Sequence, residues 1–239
     1  MIEIPFRFAY ITLTIPFLII WLILFFVRKD TRKEQLRMSY IVAIIGPISE
    51  LIYFKDYWFP QSVFPIFINK FPLMIEDILF GFAIGGIAAV IYEVIFRKQL
   101  SKFSVHSKYT IKSIYIVLTF ALVLIGLIKF GVNSIYASAI AFFVSALILL
   151  ILRHDLFVNA VGSGVGVMLV MFACYFFLFN ILASNTEELL KQGWIIRNSI
   201  LDMRIANIPL TEMVWGFTWG FLAGPWYEFA NRKKNIELN

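Results

Sequence analysis

The sequence predicts an all-α integral membrane protein of about seven transmembrane helices, built as an internal parallel repeat of two homologous halves. Three observations carry that expectation. Hydrophobic residues make up 61% of the 239 positions, charged residues 15%, and the mean hydropathy is +0.84, whereas soluble domains run near about half apolar and about a quarter charged. Apolar runs recur at the length of roughly 20 residues that a helix needs to cross a bilayer. Finally, residues 75–93, IEDILFGFAIGGIAAVIYE, return 135 positions later as LTEMVWGFTWGFLAGPWYE at 210–228.

Taken in order, the expected spans are 8–27, 38–54, 75–96, 113–130, 135–152, 156–182 and 209–229. The first is too long for the apolar core of a signal peptide, about 7 to 15 residues, and lacks a small-residue cleavage pattern, so it is expected to stay as a helix. The repeat divides one membrane domain into a first half, 1–112, with an acidic motif at 76–80, and a second half, 113–239, with its motif at 209–215. Loops 28–37 and 97–112, Arg153 and the tail Arg232, Lys233 and Lys234 hold 14 of the 21 basic residues. Basic residues accumulate on the cytoplasmic side, so the N-terminus is expected outside and the C-terminus inside a cell membrane. The net charge of +6 is read as this topology signal plus attraction to anionic membrane lipids, with no nucleic-acid partner.

The repeated residues locate the chemistry. Asp77 stands opposite Glu212, and an ionisable group at membrane depth is by default a functional hypothesis because burying it is costly. Glu76 precedes Asp77, and Glu50 lies in an apolar segment with no local partner. Gly81, Gly85 and Ala89, like Gly216, Gly220 and Gly224, form small-residue seams that let helix backbones approach closely. The alternative is that Asp77 and Glu212 are structural acids at helix N-termini, favoured by the helix dipole. At the other ends of the same helices, Glu93 with Arg97 and Glu228 with Arg232 have the spacing of i,i+4 ion pairs and are read as interfacial anchors, with Tyr92 and Tyr227 in the aromatic belt.

Other chemistries find no support. The seventh expected span contains no lysine for a retinal Schiff base. His106 and His154 lack a second histidine at ligand spacing, so no metal site is expected. There is no aspartate-rich motif to hold magnesium on a pyrophosphate and no glycine-rich nucleotide loop. GSGVG at 162–166 reads as helix packing, and the single Cys174 in an apolar run offers neither a disulfide nor a thiolate cluster.

The paired acids carry a resemblance. Pro209-Leu210-Thr211-Glu212-Met213-Val214-Trp215 and Met74-Ile75-Glu76-Asp77-Ile78-Leu79-Phe80 resemble the P-x-E-[ED]-x-x-F/W signature found once in each half of the heterodimer-type and fused lycopene cyclases of bacteria, archaea and fungi. Met74 replaces the first proline, and Thr211 the first acid of the second pair. Arg153-His154-Asp155-Leu156 and the GPWYEF run at 224–229 are also similar to that family. The resemblance implies redox-neutral cyclisation of the end group of a linear polyene, without a cofactor. In that reaction Asp77 and Glu212 serve as acid and base, Glu76 supports them, and Phe80, Trp215, Phe82, Phe217 and Glu50 contact the polyene or isoprenoid substrate. Aromatic faces suit this role because they stabilise a carbocation without attacking it. A noncatalytic or transport-type protein binding an apolar or cationic ligand at the same acids is the alternative.

Overall fold

A computed structural model describes residues 1–68, 71–102, 113–195 and 202–238; His106 and most of the second basic loop lie outside these residues. The described chain is dominated by helices: α1 (Phe6–Val27), α2 (Arg32–Tyr53), α3 (Ile75–Ile95), α4 (Ser113–Lys129), α5 (Ser134–Leu152), α6 (Phe157–Phe176), α7 (Thr186–Gly193), α8 (Leu210–Ala223) and α9 (Trp226–Asn231). A single turn, His154–Leu156, leads into α6, and a wider π-helical segment, Phe177–Leu182, continues it. Three small antiparallel pairs complete the architecture: β1 (Pro65–Ile68) with β2 (Phe71–Met74), β3 (Lys98–Lys102) with β6 (Lys233–Glu237), and β4 (Arg204–Ile205) with β5 (Ile208–Pro209).

Among the described residues, five helical segments are long and apolar enough to cross a membrane: α1, α2, α3, α5 and the continuous His154–Leu182. The two remaining expected spans differ. The fourth is α4, apolar but 17 residues long. The seventh is broken into α8 and α9 at Gly224-Pro225, because proline has no N–H to donate and its ring clashes with the preceding turn. Helix α2 begins six residues before the expected span, at Arg32. Its polar first turns are tolerated because they face protein: Gln35 Nε2 donates to the Trp21 carbonyl at 2.8 Å, and Trp21 Nε1 donates to Ser39 Oγ at 2.8 Å.

Helix α3 sits at the centre, buried from Ala83 to Val90, with α1 and α2 on one side and α6 on the other; α8 packs on α6 and α5, and α4 on α5. The glycine seams do not join α3 to α8. A Cβ on Gly85 would lie 2.6 Å from Val42 Cβ on α2, and one on Gly220 would lie 2.6 Å from the Ser163 carbonyl and 2.9 Å from Val167 Cβ on α6. Each seam therefore lets its helix approach an earlier long helix, α2 for α3 and α6 for α8.

Local geometry recurs at positions 125 and 135 residues apart. Arg28 grips Asp30 with Nε at 2.8 Å and Nη2 at 2.6 Å and donates to the Lys98 carbonyl; Arg153 grips Asp155 at 2.7 and 2.7 Å and donates to the Lys233 carbonyl. The Arg28 guanidinium holds the Asp30 carboxyl below the usual carboxylate range through this hydrogen bond. Arg97 and Arg232, 135 positions apart, both adopt left-handed backbone, with φ of 50° and 52°. They turn the chain out of α3 and α9 into β3 and β6, which pair with Leu100 opposite Asn235.

Candidate functional site

Each motif acid occupies the first turn of a helix that follows a short hairpin. Met74 ends β2 and precedes α3; Pro209 ends β5 and precedes α8. Both acids lie inward, Glu212 7% exposed and Asp77 2% exposed.

Three donors converge on Glu212. Oε1 accepts from the Tyr57 hydroxyl and from Trp194 Nε1 at 3.0 Å, and Oε2 accepts from the Tyr175 hydroxyl at 2.9 Å. Tyr57 is itself held by Thr211 Oγ1 at 2.9 Å, so the residue standing where the family signature has an acid orients a donor to the remaining one. Tyr57 and Trp194 arrive on connecting segments that pair with each other: Ile195 N donates to the Tyr57 carbonyl at 2.8 Å, and Phe59 N donates to the Gly193 carbonyl at 2.8 Å. A buried carboxylate needs such partners, since an uncompensated charge in an apolar interior is strongly unfavourable.

Glu212 borders a small cavity with Glu50, Tyr10, Tyr53, Phe80, Trp215 and other aromatic side chains around it. Glu50 accepts from Trp58 Nε1 at 2.9 Å, and the Trp58 ring lies edge-on to Tyr10 at 4.9 Å and tilted over Trp194 at 5.1 Å. Trp215 Nε1 donates to the Tyr53 hydroxyl at 3.0 Å. Such a wall offers quadrupolar ring faces and few nucleophiles, a setting able to solvate a transient carbocation.

The expected residues separate into two groups. Glu212, Glu50, Phe80 and Trp215 come together around the cavity. Asp77 lies behind that wall beside the Tyr10 side chain, and no aligned hydrogen bond closes on either of its oxygens. Glu76 turns away from the cavity, accepting from Ser62 Oγ at 2.6 Å and from the Val63 amide at 2.7 Å, and so tethers the loop before β1. Phe82 packs on Trp21 and Tyr40 at 4.9 and 5.6 Å, and Phe217 stacks on Phe221 at 5.7 Å; neither borders the cavity. Sequence reasoning missed Tyr10, Tyr53, Tyr57, Trp58, Tyr175 and Trp194. The aromatic crowding of YFKDYW at 53–58 was the available signal.

A correction concerns the other acid pair. Glu93 and Glu228 are fully buried, share the Asn159 side-chain amide, and make no ion pair with Arg97 or Arg232 among the described residues. The left-handed turn at each arginine takes it off the helix, so the i,i+4 geometry never forms.

Residues 133–230 match the family model described as lycopene cyclase. Comparison with curated proteins and with solved structures found no match. The matched span runs from the cap of α5 to the end of α9 and contains Glu212 together with its Tyr175 and Trp194 donors. Over residues 133–230, the chain is similar to the lycopene cyclase family.

Proposed function

We propose that this protein is an integral membrane isomerase that cyclises the end group of a linear carotenoid by redox-neutral acid–base chemistry. A carbon–carbon double bond at the chain end takes a proton, the neighbouring alkene closes the ring on the tertiary cation, and a base removes a proton to restore a double bond. The observation that carries this reading is the family's motif acid, Glu212, bordering an aromatic cavity with three donors fixing its orientation. Three donors stabilise the carboxylate form of Glu212 and leave Oε2 a lone pair that can take a proton, which suits it to the part of base, while Asp77, with no aligned donor, belongs to the acid side.

The architecture proposed with it is a twofold repeat of seven spans, in which α1, α2 and α3 correspond to α5, α6 and the α8–α9 pair, and α4 joins them. Support comes from the matched contacts of Arg28 and Arg153, from the left-handed Arg97 and Arg232, and from the common offsets of 125 and 135 positions. With the basic loops in the cytoplasm, Ser184 lies outside. A cysteine placed there is expected to react with an impermeant maleimide added to intact cells; labelling only after the cytoplasmic side is opened would reverse the orientation.

The decisive experiment is expression in cells that accumulate lycopene. Cyclised products of unchanged mass and shorter-wavelength absorbance are expected with the natural chain and not with Glu212→Gln. Unaltered lycopene in cells that hold folded natural protein would overturn the reading.

A further inference from the structure

The side chains around the cavity fall into matched positions. Tyr10 and Ile135 are 125 residues apart, as are Glu50 and Tyr175, and Phe80 and Trp215 are 135 apart. These are the offsets that relate Arg28 to Arg153 and Lys98 to Lys233. The cavity therefore lies where the two halves meet, and equivalent positions present unlike groups to it. Where the second half offers Tyr175 as a donor to its own acid, the first half offers a carboxyl.

Only two carboxyl groups border this cavity among the described residues, Glu50 and Glu212. Both Glu212 oxygens are engaged by donors. Glu50 differs: Oε2 accepts from Trp58 Nε1, while Oε1 takes no hydrogen bond from the described residues. Asp77 is next to Glu50 but behind the wall. Helix packing adds direction. The backbones of α3 and α6 are packed together more closely than those of the corresponding α8 and α2, which meet through Trp215 Nε1 and the Tyr53 hydroxyl. Glu50, Phe80 and Trp215 remain partly exposed on that looser side, where an apolar chain can reach the cavity from the bilayer.

We propose that Glu50 is the catalytic acid that delivers the proton to the substrate end group, with Asp77 behind it as a proton partner and Glu212 facing it as the base. The inference rests on the cyclisation reading and names the group that performs its first step. The O–H bond of Glu50 breaks as a C–H bond forms at the terminal alkene. The π pair of the next alkene forms the ring C–C bond. Glu212 then takes a proton from the adjacent carbon, whose C–H pair becomes the ring double bond. The product is an isomer of the substrate, and one proton has moved from Glu50 to Glu212; its return after product release resets the site.

The test uses the full-length protein in lycopene-accumulating membranes. Glu50→Gln is expected to lower conversion by about a hundredfold or more, the scale of a general acid, with Glu50→Asp recovering part of it and Asp77→Asn falling between the natural chain and Glu50→Gln. Near-natural conversion by folded Glu50→Gln would overturn the proposal. A second measurement does not depend on turnover. Dicyclohexylcarbodiimide, an apolar reagent for protonated carboxyls, is expected to modify Glu50, and preloading with lycopene is expected to protect it, as read by peptide mass mapping. Modification of Asp77 with Glu50 spared would reject the assignment even if Glu50→Gln failed to fold. A natural chain without conversion, but with Glu50 modified and protected by lycopene, would reject the cyclisation reading while leaving Glu50 as the proton-bearing group of the cavity.

Discussion

Asp77 and Glu212 stand at the same place in two similar helices, and their surroundings differ in nearly every respect. Both follow a hairpin, sit in the first turn and are buried. Glu212 has a tyrosine from α6, a tyrosine and a tryptophan from connecting segments, and a direct border on the cavity. Asp77 has Tyr10 beside it and a second carboxyl, Glu50, nearby. The position of an acid along a repeated helix thus does not determine its role; the side chains that neighbouring helices bring to it do. In the proposed reaction, two similar helices then hold a proton acceptor in one case and a proton source in the other, the separation that acid–base chemistry on one substrate requires.

That contrast can be broken most directly at Glu212. Glu212→Gln is expected to reduce pigment conversion by about a hundredfold or more, the range of a lost general base, and equal losses from Glu212→Gln and Asp77→Asn would erase the distinction between the halves. Tyr175→Phe removes one of three donors and leaves two, so a smaller loss, about tenfold, is expected in the same assay, on the scale of one hydrogen bond to a charged group; full activity would mean that Tyr175 only fills space. Gly220→Leu places a side chain against the Ser163 carbonyl and Val167, and overpacking of this kind costs about 1 to 3 kcal/mol. It is expected to lower the melting temperature in detergent and to shift α8, whereas an unchanged melt would mean that the seam is not tightly packed. The smallest effect sharpens the comparison from the far end: Arg28→Gln and Arg153→Gln should each destabilise by about 1 to 2 kcal/mol, the scale of lost hydrogen bonds. Clearly unequal melting shifts would show that the halves are less alike there than their contacts.

Much of this arrangement was legible in the residues. Acids inside apolar runs stand out whatever the fold, and Glu50 and Glu212 were visible on that ground. Phe80 and Trp215 lie three residues after Asp77 and Glu212, near one turn on, and so share their face of the helix. Phe82 and Phe217 were not separable from them by composition, yet two residues along a helix is about 200° of rotation, which turns them to the opposite side. The donors to Glu212 were hidden for a different reason. Tyr57 and Trp194 lie on connections whose pairing depends on where the helices end, and Tyr175 belongs to a helix with no charge to draw attention. The glycine seams were legible, but the helices that pack on them were not, because spacing reveals a face and not its neighbour. Proline at 225 marked the break in the last span, and apolar length alone overrode it.

The pairing of β3 with β6 has a property that reaches beyond this single chain. Lys98 opposes Glu237 and Lys102 opposes Lys233; adding 135 to the members of β3 and subtracting it from those of β6 returns the same set of pairs. Such self-complementary pairing is what two identical polypeptides use across a symmetric dimer interface, where residue i meets j and j meets i. A chain of half this length, ending in one such strand, would present the edge needed to assemble with a second copy. Within one polypeptide the two strands are free to differ in sequence, since a linked pair does not have to place the same side chain on both sides of the axis.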